Sequence, residues 1–549
     1  MIVPFRYSFG RISQRLGWQL SVVLLFSSVC LYSASPPKST EAVDTLQNFQ
    51  ARLKSHIAQP RFSQAIWGVK VISLDTGKTL FEHNADKLLK PASNAKLYSG
   101  ALALDRLGPS YRFKTSLYAT SRPDGEGTLK GNLIVYGRGD PCFAARFNDG
   151  NYERSLDPIV NALLNKGVKR IDGDLVGDES FFRGAPFGAG WTWDDLQYYY
   201  GAGVSALTVE DNVLDLTVRP GTKLGDPCEI AVSPATAFLN FVNQTKTESK
   251  AGKRSVELYR PLAQNTVFVS GTLPLGSSNH IDAVAVHRPS ELFVTLLKDA
   301  LAKKGIKVSG RLRTLDWIER GKEPADASKP ELLADFETRP LREVLAKMMK
   351  PSQNLYAQLL LLHTGAIGAF TNPRDKASDS ASGGAPPSAH DLQTGVTTED
   401  LGLMELKKFL KEAGINDGEV LLEEGSGLSR AGLLTPNATV QLLKFMHRHK
   451  YADVFRDSLP IASVDGTLRN RMKETKAAGQ LRAKTGRLRY VDTLSGYANS
   501  ATGEQLAFSI MLNNYAGPAN SGRDAVDALA VMLAEFGGKS ARQLNLRRR

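Results

Sequence analysis

Ser93-Asn94-Ala95-Lys96, Ser352-Gln353-Asn354 and Lys484-Thr485-Gly486 stand in this order along a chain of 549 residues, and as a set they suit acyl transfer through a serine. A serine hydroxyl is a poor nucleophile until a base within hydrogen-bond reach takes its proton. Three-residue spacing on a helix puts Lys96 one turn beyond Ser93 on the same face, which makes its amine the candidate base. A lysine serves only when a fraction of it is neutral. Burial and a second cation both lower its pKa, and Lys484 is the candidate second cation. A helix start also favours negative charge, because its N–H groups have no partner within the helix. An oxyanion hole would use the N–H of Ser93 and that of Arg487, the residue after Gly486 on an edge strand. Lys484 and Thr485 would hold a substrate carboxylate. Ser352 would relay a proton to the leaving amine, and Asn354 would orient the substrate amide and Lys96.

Each motif alone is weak: Ser35-Pro36-Pro37-Lys38 and Ser277-Ser278-Asn279 match two of the patterns by chance. Neither has a helix behind it, whereas all three members of the main set fall in fitting secondary structure. Other hydrolytic chemistries find no support. There is no G-x-S-x-G elbow and no H-E-x-x-H, and the eight histidines form no ligand-like cluster, so neither a metal nor a cofactor is expected. Ser426 sits in Gly425-Ser426-Gly427 without a nearby base and reads as part of a tight turn.

The elements that must position these residues are legible from their periodicity. Ile66 to Ser73 and Thr79 to Glu82 read as a hairpin about the turn Asp75-Thr76-Gly77-Lys78. Ser93 precedes a helical apolar pattern that runs to Gly108-Pro109. Residues 480–484, 493–499 and 505–513 read as an antiparallel meander, and 524–536 as an apolar helix covering it. The implied architecture is α+β, an antiparallel sheet covered by helices. Between the first helix and Ser352 lie many short strand patterns, expected to form inserted β-rich domains at 114–307 with a nested smaller one at about 226–285. The flanking 36–113 and 308–549 would then form one discontinuous catalytic domain, and 371–395, rich in Ser, Ala, Gly and Pro, a disordered loop within it.

The first residues are basic without acids, with Arg6, Arg11 and Arg15, and an apolar run follows at 20–32 that is short for a membrane span. Residues 1–35 therefore read as a signal peptide, with a retained anchor as the alternative and lipidation at Cys30 disfavoured by the residues before it. In an exported protein Cys142 and Cys228 are expected to pair, against the alternative of two lone buried thiols. The net charge of +13 is spread along the chain and ends in Arg547-Arg548-Arg549. It is read as a solvated basic surface near a cell wall and anionic lipid, with peripheral or anchor-type membrane association open and no nucleic-acid partner.

Longer stretches carry a resemblance. Gly137-Arg138-Gly139-Asp140-Pro141, Gly173-Asp174-Leu175-Val176-Gly177-Asp178, Gly190-Trp191-Thr192-Trp193-Asp194-Asp195, 425–430, and Leu459-Pro460-Ile461-Ala462 running into Val464-Asp465-Gly466-Thr467-Leu468 accompany the three motifs. With them the chain resembles the class C low-molecular-mass penicillin-binding proteins, which are D-alanyl-D-alanine carboxypeptidases and endopeptidases. The resemblance implies a β-lactamase/transpeptidase-like catalytic domain with large insertions between S-x-x-K and S-x-N. Class A β-lactamases keep those two motifs within one compact domain. No E-x-x-L-N stretch is present here, which argues for a peptidase that β-lactams inhibit.

The resemblance further implies peptidoglycan stem peptides as substrates, β-lactams as covalent inhibitors, and a place in the periplasm or cell envelope. It casts Asp195 and Arg430 as residues approaching the amine and carboxylate of the stem's diamino acid, with Tyr200 flanking them; ion pairing within the protein is the plainer reading of the two. Glu424, where aspartate is usual, and Arg487 and Arg489, where smaller or neutral side chains are common, depart from the pattern. A β-lactamase or esterase on the same scaffold, and a catalytically idle wall-binding protein, are the competing expectations.

Overall fold

The computed structural model describes residues 44–322, 330–370 and 395–540. The signal segment with Cys30, all of the 371–395 loop but Gly395, and the terminal arginines lie outside the described residues. No helix among the described residues is long and apolar enough to cross a membrane.

A five-stranded antiparallel sheet runs in the order Arg482–Leu488, Val491–Asn499, Gln505–Asn513, Ile66–Ser73, Thr79–His83. Its central strands are largely buried on both sides because helices cover both faces. Helices Leu46–Ile57 and Ser521–Glu535 close one face over Trp67, Val69, Val71, Ala483, Leu494, Phe508 and Ile510. The other face meets a helical layer made of Lys96–Leu107, Leu341–Met349, Asn354–Phe370, Thr398–Glu412, Pro436–His447 and Ala452–Ser458. The expected meander and covering helix are present, and α+β layering of helices on an antiparallel sheet is the fold.

Between Leu107 and Leu341 the chain builds a second five-stranded sheet, ordered Leu312–Leu315, Leu175–Asp178, Leu133–Tyr136, Arg112–Ala119, Glu331–Pro340, together with smaller three-stranded sheets. Helices Asp157–Asn165 and Pro289–Lys303 contribute to a separate apolar core there.

Cys142 and Cys228 are both buried and both free, which corrects the expected disulfide. They belong to different cores. Cys142 packs with the helices behind Ser93, and Cys228 packs within the inserted β-rich segment, its Sγ 4.0 Å from Thr247 Oγ1. Burial, reinforced by the Asp140 carboxylate, holds the Cys142 thiol well above its ordinary pKa, so it is an inert core thiol. Denatured without reductant, the protein should release both thiols to an alkylating reagent, with peptide mapping reading each one. Protection of the pair would restore the bridge.

Candidate active site

The chain enters the site through Pro91-Ala92, and Ala92 holds a left-handed φ of 47°. A single 3-10 turn, Ala92–Ala95, then leads into the helix Lys96–Leu107, so Ser93 sits on the turn before the helix and not in its body. Ser93 is half-buried and Lys96 fully buried. Lys96 Nζ lies 2.9 Å from Ser93 Oγ, 2.6 Å from Asn354 Oδ1 and 2.7 Å from the Ser426 carbonyl. Two of these neighbours can only accept. The third is a hydroxyl that can donate. A neutral amine has two N–H groups and one lone pair, and this environment receives both N–H groups while leaving the lone pair for the Ser93 proton. Burial lowers the Lys96 pKa to about 7, against an opposing pull from the Glu424 carboxylate.

The second motif turns sharply: Ser352 has φ 67°, and Asn354 opens the helix Asn354–Phe370. Asn354 uses both ends of its amide, accepting from Lys96 and donating to the Tyr200 carbonyl at 2.8 Å. Lys484, fully buried, donates to Ser352 Oγ at 2.8 Å and to the Thr485 carbonyl at 2.8 Å. Its pKa is held well below the ordinary lysine value by burial, then by the neighbouring Lys96 and Arg471 charges. All five expected catalytic side chains thus meet in one place from three separate elements.

Lys484-Thr485-Gly486 lies on the strand Arg482–Leu488, which is the edge of its sheet. Its beginning is covered by a bridge between Ile461 and Arg482 and by Ala483 N donating to the Pro460 carbonyl at 3.0 Å. A Cβ on Gly486 would fall 2.2 Å from Thr493 Oγ1 and 2.7 Å from the Pro91 carbonyl. Only glycine therefore lets this strand close on the segment that presents Ser93. The contact is tied by Thr493 Oγ1 donating to the Pro91 carbonyl at 2.9 Å, and by Asn94 Nδ2 donating to Ser495 Oγ at 2.7 Å.

The Gly425-Ser426-Gly427 turn is a structural partner of the base. The buried Glu424 carboxylate accepts from Ser426 N at 2.7 Å, Ser426 Oγ at 2.6 Å and Gly427 N at 2.5 Å, which fixes the loop that offers its carbonyl to Lys96. Gly427, at φ 79°, would put a Cβ 1.9 Å from the Ala92 carbonyl. The Ser426 hydroxyl is spent on Glu424, in keeping with a turn role for that serine.

Asp195 and Arg430 are brought together, but with one another: Arg430 Nη1 is 3.0 Å from Asp195 Oδ2, and Thr192 Oγ1 touches both, at 2.7 Å each. Tyr200 stacks on Tyr198, ring centroids 5.4 Å apart, and its backbone carbonyl links this corner to Asn354. The Arg487 side chain turns toward Asn520 Oδ1, at 2.9 Å, and Asp492, at 3.6 Å. Arg489 lies over the Tyr490 ring. Among the described residues no group of three or more His, Cys, Asp or Glu side chains could hold a metal ion.

The profile of the D-Ala-D-Ala carboxypeptidase 3 (S13) family matches residues 49–381 and 389–536. The chain belongs to the S13 family. A D-alanyl-D-alanine carboxypeptidase of Actinomadura sp. (strain R39) is 31% identical over 522 residues, covering 93% of this chain and 89% of that protein. The D-alanyl-D-alanine carboxypeptidase DacB of Haemophilus influenzae is 26% identical over 456 residues, covering 81% of this chain and 84% of that one. The crystal structure of penicillin binding protein 4 from Haemophilus influenzae superposes with a TM-score of 0.70 at 25% identity, over 88% of this chain and 99% of that one. This S13 protein is a serine-type D-Ala-D-Ala carboxypeptidase, a hydrolase with the β-lactamase/transpeptidase-like fold.

Three contributors to this S13 site were not legible as such in the sequence. The Ser426 and Tyr200 carbonyls act through the backbone, where side-chain type carries no signal. Thr467, whose Oγ1 is 2.8 Å from Thr485 Oγ1, lies within the 464–468 stretch already noted but with no role attached.

Proposed function

We propose that this carboxypeptidase works outside the cytoplasmic membrane on the D-Ala-D-Ala ends of peptidoglycan stem peptides, through an acyl-enzyme on Ser93. The observation that carries the reading is the placement of Lys96 Nζ, with two obligate acceptors and the Ser93 hydroxyl as its neighbours. Ser93 Oγ attacks the penultimate D-Ala carbonyl carbon while its proton passes to Lys96. The N–H groups of Ser93 and Arg487 receive the developing oxyanion. Collapse breaks the C–N bond, and D-alanine leaves with a proton relayed through Ser352, which Lys484 contacts at 2.8 Å. Water then releases the acyl group by the reverse proton path. Thr485 and Lys484 hold the departing residue's carboxylate.

Asp195 and Arg430 would exchange their mutual ion pair for the amine and carboxylate of the diamino acid, with Tyr200 beside them. Arg430 is partly exposed, which gives it room to move. Cleavage of D-alanyl crosslinks belongs to the same chemistry, since only the leaving amine differs. β-Lactams, which present a strained amide to the same nucleophile, would acylate Ser93.

Intact-protein mass spectrometry after penicillin exposure, with peptide mapping, tests the reading. A lasting adduct of one penicillin on the peptide containing Ser93 is expected. An adduct elsewhere removes Ser93 as nucleophile, and rapid turnover with no persistent adduct makes the protein a β-lactamase.

A further inference from the structure

A substrate carboxylate needs donors, and the strand that carries the third motif provides few. Thr485 offers one hydroxyl, while the next outward-reaching side chain, Arg487, is engaged by Asn520 and Asp492. A second hydroxyl arrives from a different element. Thr467 sits in the 3-10 turn Gly466–Leu468, half-buried, with its Oγ1 2.8 Å from Thr485 Oγ1.

Two hydroxyls in mutual contact hold two protons. One is used between them, so one remains free to donate to an anion, and the hydroxyl that accepts becomes the stronger donor. Ser352 Oγ, which accepts from the buried Lys484, adds a third hydroxyl nearby.

The turn is held in step with the Ser352 loop. Thr467 N donates to the Lys350 carbonyl at 3.0 Å, and Lys350 Nζ donates to Asp465 Oδ2 at 2.5 Å and to the Leu459 carbonyl at 3.1 Å. Lys350 is two residues before Ser352, so whatever places the proton relay also places Thr467. The Lys350–Asp465 pair neutralises itself, as does Arg471 with Asp527, so Lys484 is the basic group left beside these hydroxyls.

We propose that Thr467 binds the C-terminal carboxylate of the substrate together with Thr485, and that it sets the preference for a free carboxylate over a neutral end. This rests on the Ser93 acyl-enzyme reading above and adds to it a group that touches the departing residue.

The test compares a diacyl-lysyl-D-Ala-D-Ala tripeptide with its D-alaninamide counterpart on wild type, Thr467→Val and Thr467→Ser. Valine keeps the shape and removes the hydroxyl. A hydrogen bond to a charged group is the interaction lost, so kcat/KM for the carboxylate peptide should fall about 10- to 100-fold, mainly through KM. The amide should change less than about threefold, and serine should restore the carboxylate preference to within about threefold of wild type. An equal fall for both peptides would make Thr467 a structural tie, and no change in either would leave it outside the pocket; both outcomes overturn the proposal. Penicillin labelling of the same three proteins separates the two readings. Labelled Ser93 with an unmoved carboxylate-to-amide ratio defeats the Thr467 proposal alone, whereas an unlabelled wild-type Ser93 defeats the acyl-enzyme reading and this proposal with it.

Discussion

Lys96→Met is expected to slow acylation of Ser93 by about a thousandfold at pH 8, the middle of the range for loss of a positioned general base. Methionine is close to lysine in length and can occupy the buried channel, but it offers no lone pair basic enough to take the serine proton. The wild-type rate should also carry the titration of the amine. Protonated Lys96 cannot accept a proton, so the rate should rise about tenfold per pH unit below the Lys96 pKa and level off above it. Burial sets that pKa at about 7. In Lys96→Met this limb should vanish and leave a low, nearly flat profile. The measurement is the second-order rate of fluorescent-penicillin labelling from pH 5 to 9, with thermal melting as a folding control, because the substitution strips a donor from Asn354 Oδ1 and the Ser426 carbonyl. A variant labelled within about tenfold of wild type would sink the base assignment and move it to Lys484 acting through Ser352, whose contact of 2.8 Å is equally short.

The two lysines show where sequence reasoning succeeds. Motif spacing placed Lys96 beside Ser93 because one helical turn is a local property, and the strand pattern around Lys484 placed it on the covering sheet for the same reason. Their mutual approach is not local. It depends on the 459–467 loop, the Asn354 helix and the Glu424 turn arriving together, and no sequence interval encodes such a distance. Glu424 illustrates the limit well. Its identity departs from the family pattern, yet its role, a buried carboxylate saturated by the N–H groups of the turn beneath Lys96, is a property of the folded turn alone. The cysteines failed for a related reason: compartment and count favour a bridge, but pairing requires neighbouring Cα positions, and the two thiols ended in different cores. Asp195 and Arg430 meet in the ion pair that is the plainer reading of the two, which leaves their part in binding the diamino acid to the proposal above.

Gly486→Ala should reduce acylation about a hundredfold while leaving the protein folded. Gly486 is not in a left-handed conformation, so alanine meets no backbone penalty and the effect is steric. The added Cβ would lie 2.2 Å from Thr493 Oγ1, 2.7 Å from the Pro91 carbonyl and 3.0 Å from Ala92 Cβ. None of these can simply swing aside. The carbonyl belongs to the turn that presents Ser93, and the Thr493 hydroxyl is bonded to that same carbonyl at 2.9 Å, so the obstacle moves as a unit. Relief must come from the edge strand, which among the described residues has no strand outside it and can tilt outward. Tilting carries the Arg487 N–H and the Thr485 hydroxyl away from Ser93, and a misplacement of about 1 Å costs a reaction of this kind about a hundredfold. Stability should fall by about 1–3 kcal/mol, as for overpacking at other tight contacts. Because the strand shifts as a whole, peptide turnover and penicillin labelling should drop by similar factors, unlike Thr467→Val, which discriminates between carboxylate and amide ends. Labelling of Gly486→Ala within about threefold of wild type would mean that the strand yields without moving its N–H, and the close packing of strand against helix start would then lose its catalytic significance.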